Sequence, residues 1–387
     1  MNENKVKKGL PAFIGVAAVW MGTHFGPGVA SGTQLNVYYV KFGVPGIIMT
    51  VLAMCLLGYA LYCSMEASRI YKTYEYQSWA ENIWGFKWIV ILFDISFLIT
   101  CMTALGGSLN AVATLMLTQW GLNYWVGVGL VIICGALLCA FGADLVRRSS
   151  TYMMFVVVGL LLLVIILVVA FGDGDLAGAI ANQKVNLDPK NINFLKAAWS
   201  AVIYAAFQAT VVANIASVAD TLGSRKESKK AAVVGIIANI ALLVIEGLLL
   251  FSFTGVYNIT GEALPIYSIL QRLGFNWLTV LYIVVVFIAV LSTVVGFAFG
   301  GMSRFAKYYR KEGKNNSLRD GIFVAVLLLL CAFASKFGIV ALVSKGYTIL
   351  GYLNLPVIVL PAIILGGRKI SKKYLKEHNI PAVGIDD

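Results

Sequence analysis

Residues 20–32 read WMGTHFGPGVASG. The stretch lies inside an apolar run long enough to cross a bilayer. It holds Gly22, Gly26, Gly28 and Gly32, Pro27, and His24, one of two histidines in the chain. Glycine and proline are the poorest helix formers, and proline also lacks a backbone donor. Non-helical backbone at membrane depth is tolerated only where it is buried in protein or lines a polar cavity. A span broken there predicts a site. The freed carbonyls of one half-helix can meet a cation, and the amides opening the other can meet an anionic group. Glycines also serve close helix packing, but GxxxGxG with an embedded proline and a histidine exceeds what packing needs.

Composition fixes the surroundings of that break. Of 387 residues, 60% are hydrophobic and 12% charged, where a soluble domain carries about 25% charged residues. Mean hydropathy is +0.85. Apolar runs of about 20 residues, each enough to span roughly 30 Å of hydrocarbon, recur along the chain. Ten spans are predicted, near 9–40 (interrupted), 43–68, 88–118, 123–143, 151–172, 193–221, 230–257, 276–303, 320–336 and 347–367. The polar segment 261–273 is expected as a surface helix. No low-complexity linker divides residues 1–387, which read as a single transmembrane domain.

Lys and Arg set the orientation. With both termini in the cytoplasm, 23 of the 30 basic residues fall on the cytoplasmic side. The other side holds Lys41, Lys184, Lys190, Lys196, Arg272, Lys336 and Lys345. The net charge of +12 is thus split among short loops beside anionic lipid, which argues against a nucleic-acid partner. Cys55, Cys63, Cys101, Cys134, Cys139 and Cys331 all fall in predicted spans without metal-ligand spacing and read as packing residues. No nucleotide-binding loop and no hydrolytic constellation appears, so an enzyme is not expected.

Five spans precede the polar loop 173–192 and five follow it. An odd number per half inverts the second half relative to the first, giving repeats near 9–172 and 193–367. The sixth span, WSAVIYAAFQATVVANIASVAD, is then the partner of the first. It has no glycine break, but Gln208, Thr210, Asn214 and Ser217 are polar where lipid disfavours it. An unwinding near Ala206–Thr210 is expected.

Ten spans as five plus five, with a glycine-broken first helix, resemble the LeuT-fold transporters of the amino acid–polyamine–organocation superfamily. Within it, HFGPGVASG looks most like the YkvI-like bacterial membrane proteins. The resemblance covers essentially the whole chain in topology and only short motifs in sequence. It implies that helices 1 and 2 rock with 6 and 7 against a scaffold of 3, 4, 8 and 9. It also implies a sodium ion held by the carbonyls of Gly22 and Phe25 in the first span. Ala289, Ser292 and Thr293 of the eighth would supply a carbonyl and two hydroxyls. Sodium is a hard cation that favours such oxygens, although a Ser-Thr pair in a helix often bonds back to its own backbone. Two positions depart from the pattern. Val29 stands where the family's second sodium site has a polar residue. Pro27 lacks the N–H that helps hold a substrate carboxylate, leaving the amides of Gly28 and Val29. The fifth span carries no lysine in place of sodium. No organic cofactor is implied.

By the same resemblance, Gly26, Gly28, Val29, Asn110 and Gln208 line the substrate site, with Phe207 closing over it. Trp20, Trp199 and Tyr204 could form part of an aromatic wall for a cationic amine, although such residues more often serve as packing or interfacial anchors. His24 could contact substrate, carry a proton, or bond a freed carbonyl. Glu246, in the middle of the seventh span, reads as a proton site or a counter-charge. Glu66, Asp94 and Asp220 are expected in ion pairs. The expected activity is sodium-coupled symport of a small organic solute, an amino acid or related amine, across a bacterial cytoplasmic membrane. Proton-coupled transport through His24 or Glu246, nutrient sensing like that of spore-germination subunits, and a channel are the rivals. The partners are the solute and membrane lipid; oligomeric state is open.

Overall fold

The computed structural model describes residues 11–140, 143–311, 316–381 and 384. Lys5, Lys7, Lys8 and Lys314 of the charge bias lie outside them, as do the side chains of Arg147, Arg148 and Lys307. Among the described residues there are helices and no strands. The first span is helix α1 (Ala12–His24), a break at Phe25 and Gly26, then α2 (Pro27–Ala30) and α3 (Thr33–Tyr38). Helices α4 (Gly43–Tyr71), α5 (Tyr76–Trp84), α6 (Ile89–Trp120), α7 (Tyr124–Ala140) and α8 (Ala143–Phe171) complete the first half. Two short helices, α9 (Leu176–Ala181) and α10 (Gln183–Asn186), lead into the second.

There α11 (Phe194–Gln208) and α12 (Val212–Val218) flank a 3₁₀ turn at Ala209–Val211. The sixth span is thus tightened within a residue or two of the expected position, without a break. Helices α13 (Arg225–Ser252), α14 (Pro265–Leu273), α15 (Asn276–Tyr309) and α16 (Ser317–Ser335) follow. The last span, α17 (Ile339–Lys369), mixes α and π turns around Pro356 and Pro361, and α18 (Lys372–Glu377) closes the described chain. Seven of the helical runs are long and apolar enough to cross a membrane. Ala12–His24, Tyr124–Ala140 and Phe155–Phe171 are shorter apolar helices.

The halves repeat in kind. The second span of each is followed by a nine-residue helix, α5 and α14. Each ends on a glycine in the left-handed region, Gly85 at φ 83° and Gly274 at φ 74°, where a side chain would be strained. The surface helix expected at 261–273 is α14, four residues shorter at its start because Pro265 sets its first turn. Other ends also differ from those expected. α8 starts at Ala143 rather than 151, α15 runs to Tyr309 rather than 303, and α17 starts at Ile339 rather than 347. α13 starts at Arg225 rather than 230 and stops at Ser252 rather than 257, with the Ser224 hydroxyl capping its first turn. Hydropathy marks the lipid slab, whereas hydrogen bonding and caps mark the helix.

Packing divides the helices into two groups. α1, α4, α11, α12 and α13 pack on one another, while α6, α7, α15 and α16 form a second set with α8 against α15. α17 touches both sets, through α11 and α6. The first group is wedged by Trp20, which is buried. A Cβ at Gly235 of α13 would lie 2.3 Å from Trp20 Cε3, and one at Gly58 of α4 would lie 3.1 Å from its Cη2. These glycines admit the indole. Glu66, fully buried, ties the same group near the other end of α4. It accepts from Arg69 at 2.8 Å, Arg225 at 3.1 Å and Ser228 at 2.8 Å. In the second group Asp94 pairs with Arg304 and accepts from Tyr76 at 2.7 Å. Asp220 makes no ion pair among the described residues.

Candidate functional site

The break follows from the donors that Gly26 and Pro27 withhold. Pro27 has no N–H to give the Thr23 carbonyl. The Gly26 N–H turns to the His24 carbonyl at 2.9 Å rather than to Gly22. Val29 N–H goes to Gly26 O at 3.1 Å rather than to Phe25. The carbonyls of Gly22, Thr23 and Phe25 therefore accept no hydrogen bond among the described residues. The same accounting corrects the expected donors. Val29 N–H is engaged and its side chain is buried, so of the two amides only that of Gly28 remains.

The break lies against α15. A Cβ at Gly26 would sit 3.1 Å from Thr293 Oγ1, and Tyr282 donates to the Ala30 carbonyl at 3.2 Å. Ala289 is buried in a small cluster with Ala30, Val157 and Val285. The hydroxyls of Ser292 and Thr293 are half-buried and make no hydrogen bond among the described residues. Thr100, Thr103 and Ser108 of α6 behave differently, each bonding the carbonyl four residues back. The break, with its freed carbonyls, thus meets α15 at the Thr293 hydroxyl.

Beside the break is a buried polar chain. Asn239 Nδ2 donates to the Gly235 carbonyl at 2.7 Å, which leaves Asn239 Oδ1 to accept from His24 Nδ1 at 2.5 Å. His24 Nε2 faces the Tyr204 hydroxyl at 2.8 Å, and Gln34 Oε1 lies 3.3 Å from the same hydroxyl. His24 thus bonds two side chains rather than a freed carbonyl. A Cβ at Gly28 would be 2.5 Å from Gln34 Nε2, so the glycine lets this amide lie against the start of α2. Above the chain is an aromatic layer. Phe207 stacks on Tyr347 at 4.5 Å between centroids and meets Tyr204 at 4.9 Å and Tyr38 at 5.2 Å. Gln208 follows one turn after Tyr204 and is half-buried. Glu246 is fully buried two turns beyond Asn239 on α13, and neither carboxylate oxygen has a hydrogen-bond partner among the described residues.

Several expected residues lie elsewhere. Asn110 does not join the cluster. Its amide donates to Ser335 O at 3.1 Å and Tyr124 Oη at 3.2 Å, and its oxygen accepts from Ile339 N at 2.9 Å. That clamp joins α6, α7 and α16 and caps α17, using every polar atom of the side chain. Trp20 is a packing wedge and Trp199 is half exposed beside Tyr352, so of the proposed aromatic wall only Tyr204 belongs to the site. Sequence reading missed Gln34, Tyr38 and Tyr347. An amide inside an apolar span was a usable signal for Gln34; the tyrosines gave none. No three His, Cys, Asp or Glu side chains converge as a metal site among the described residues.

No family model and no curated protein matches the chain. Solved structures do. One, described as the substrate-bound outward-open state of a Na⁺-coupled sialic acid symporter, aligns with TM-score 0.63 at 14% identity, over 94% of this chain and 79% of that one. The manganese transporter of Eremococcus coleocola aligns with TM-score 0.62 at 13% identity, over 98% of this chain and 85% of that one. These neighbours are transporters rather than enzymes. At such identities the shared property is architecture, and the chain is an all-helical membrane protein of the LeuT fold.

Proposed function

We propose that the chain is a secondary active transporter that carries a small organic solute, an amino acid or related amine, with one sodium ion by alternating access. One observation carries the reading: the carbonyls of Gly22 and Phe25, without hydrogen-bond partners among the described residues, lie in a break that abuts the Thr293 hydroxyl on α15, one residue after Ser292. Hard cations take such oxygens. Sodium held there ties α1 to α15, one helix from each packing group, and so favours one relative position of the two. Solute is held by the Gly28 N–H, His24, Phe207 and Gln208, with Gly26 giving it room. The distribution of basic residues supports both termini lying on the cytoplasmic side, and HFGPGVASG supports kinship with the YkvI-like bacterial membrane proteins. Heating purified protein in sodium or potassium with a panel of amino acids and amines tests this. A sodium-specific rise in midpoint, enlarged by one solute class, is expected. Equal midpoints in the two salts, with every solute, refute sodium coupling.

Glu246 favours a second reading, in which a proton replaces or joins sodium. An isolated carboxylate without counter-charge is expensive in a low-dielectric interior, and a carried proton removes the charge. Under this reading solute uptake by proteoliposomes follows an imposed pH gradient, and Glu246→Gln abolishes that response while retaining solute binding. A Gln variant that still follows the gradient excludes Glu246 as the carrier.

A further inference from the structure

A cleft of about 370 Å³ lies beside Tyr38 of the aromatic layer, between the end of α3, the start of α11 and α17. Its walls are apolar and aromatic, with Val37, Phe42, Leu195, Trp199 and Ile203 among them. Its charges are both positive, Lys41 and Lys196, and no acidic residue lines it. Lys41 lies over the Phe42 ring at 5.1 Å and forms no ion pair among the described residues. Lys196 Nζ donates to the Lys190 carbonyl at 2.6 Å and likewise has no acidic partner there. Leu195, which lines the cleft, is 80% exposed, and Ile349, next to the lining residue Thr348 in sequence, is 60% exposed. Exposed aliphatic side chains beside an apolar cleft suit contact with acyl chains. Trp199 and Tyr352, joined by an N–H···O contact of 3.4 Å, have the amphipathic character of residues at the level of lipid headgroups.

We propose that this cleft binds a phospholipid with an anionic headgroup, the phosphate meeting Lys41 and Lys196 and an acyl chain following Leu195, Trp199 and Tyr352. In the orientation proposed above, this is a lipid of the outer leaflet. Two ammonium groups without counter-ions provide charge complementarity, and the apolar walls distinguish a lipid from a free anion. The floor of the cleft includes Tyr38 and Thr348. The Tyr38 hydroxyl bonds the Val343 carbonyl at 2.9 Å and Thr348 Oγ1 at 3.0 Å. A bound lipid therefore stabilises the join between α3 and α17, just outside the aromatic layer.

Thermal midpoints of the detergent-purified full chain test this without any solute, so failure of the transport reading leaves the result intact. The probes are phosphatidylglycerol, phosphatidylcholine and inorganic phosphate. Phosphatidylglycerol alone is expected to raise the midpoint. At ten times its dissociation constant it favours the native state about tenfold. The increment shrinks in high salt. Lys41→Gln with Lys196→Gln removes it, whereas Lys336→Gln, a basic residue of the same side outside the cleft, keeps it. Equal shifts from phosphatidylcholine, or a shift retained by the double variant, overturn the proposal. A shift reproduced by inorganic phosphate overturns it in favour of a soluble-anion site. If the double variant does not purify folded, Trp199→Ala with both lysines intact is expected to lose most of the increment, and its retention overturns the proposal.

Discussion

Replacing Ser292 and Thr293 together by alanine separates ion binding from folding. Neither hydroxyl makes a hydrogen bond among the described residues, so their removal orphans no group in the protein. Both positions are half-buried on a helix, and the cost to sodium-free stability is below about 1 kcal/mol. The effect on the proposed sodium ion is expected to be far larger. Hydrogen bonds to charged groups contribute about 1.5–3 kcal/mol each, and an oxygen on sodium is of the same order. Two lost oxygens amount to about 3–6 kcal/mol, or roughly a hundredfold to ten-thousandfold in affinity. The assay is the thermal midpoint titrated with sodium at constant ionic strength, using potassium as balance. The variant should match wild type in potassium and lose the sodium-specific rise. A double variant with the wild-type sodium titration refutes the assignment of these oxygens. A midpoint that drops equally in both salts shows instead that the hydroxyls hold the fold.

Three further outcomes follow from other contacts. His24→Ala orphans Asn239 Oδ1 and opens a cavity, costing about 2–4 kcal/mol. A cycle with Asn239→Ala should show coupling of about 0.5–3 kcal/mol, and additive effects refute the bond. Gly235→Ala forces a methyl against Trp20 and should destabilise by about 1–3 kcal/mol. Gly15→Ala, with nothing within 4 Å of its Cβ, should be neutral or stabilising; equal midpoints for the two refute the wedge. Outside the spans, Arg272 bonds Asp173 at 2.6 Å and holds its carboxyl below the usual carboxylate range. A group so depressed contributes stability above its unfolded value and loses it as pH falls through the folded one. The pair is about half exposed, so Asp173→Asn should lower the neutral-pH midpoint only slightly, and the difference should vanish in acid. A difference that persists in acid refutes the pairing.

The architecture was legible because the bilayer imposes a long-range rule on local sequence. Apolar runs had to be helices, and the glycines and proline of residues 22–28 had to interrupt one. The freed carbonyls of Gly22 and Phe25 are local consequences of the same residues, which is why they could be anticipated. What the sequence hid depends on partners far along the chain. Ile339 opens α17 because Asn110, 229 residues earlier, accepts its N–H; read alone, Asn110 resembled a substrate ligand. Trp20 looked like an aromatic available to solute until Gly58 and Gly235 closed around it. Gln34 and Tyr347 reach the site only through the fold. Polar side chains in spans announce that something is bonded without naming what.

The contact between Gly26 and Thr293 has a mechanical meaning. Trp20 and Glu66 interlock α1, α4 and α13 by shape and charge, so these helices move as one stiff body. Between that body and α15 the break sets a glycine without a side chain against the Thr293 hydroxyl, which makes no hydrogen bond among the described residues, with Tyr282 donating to the Ala30 carbonyl alongside. Were the two packing groups to slide there, as the proposed alternating access requires, the join would give up the Tyr282 hydrogen bond to Ala30, and no side chain at Gly26 would have to swing aside.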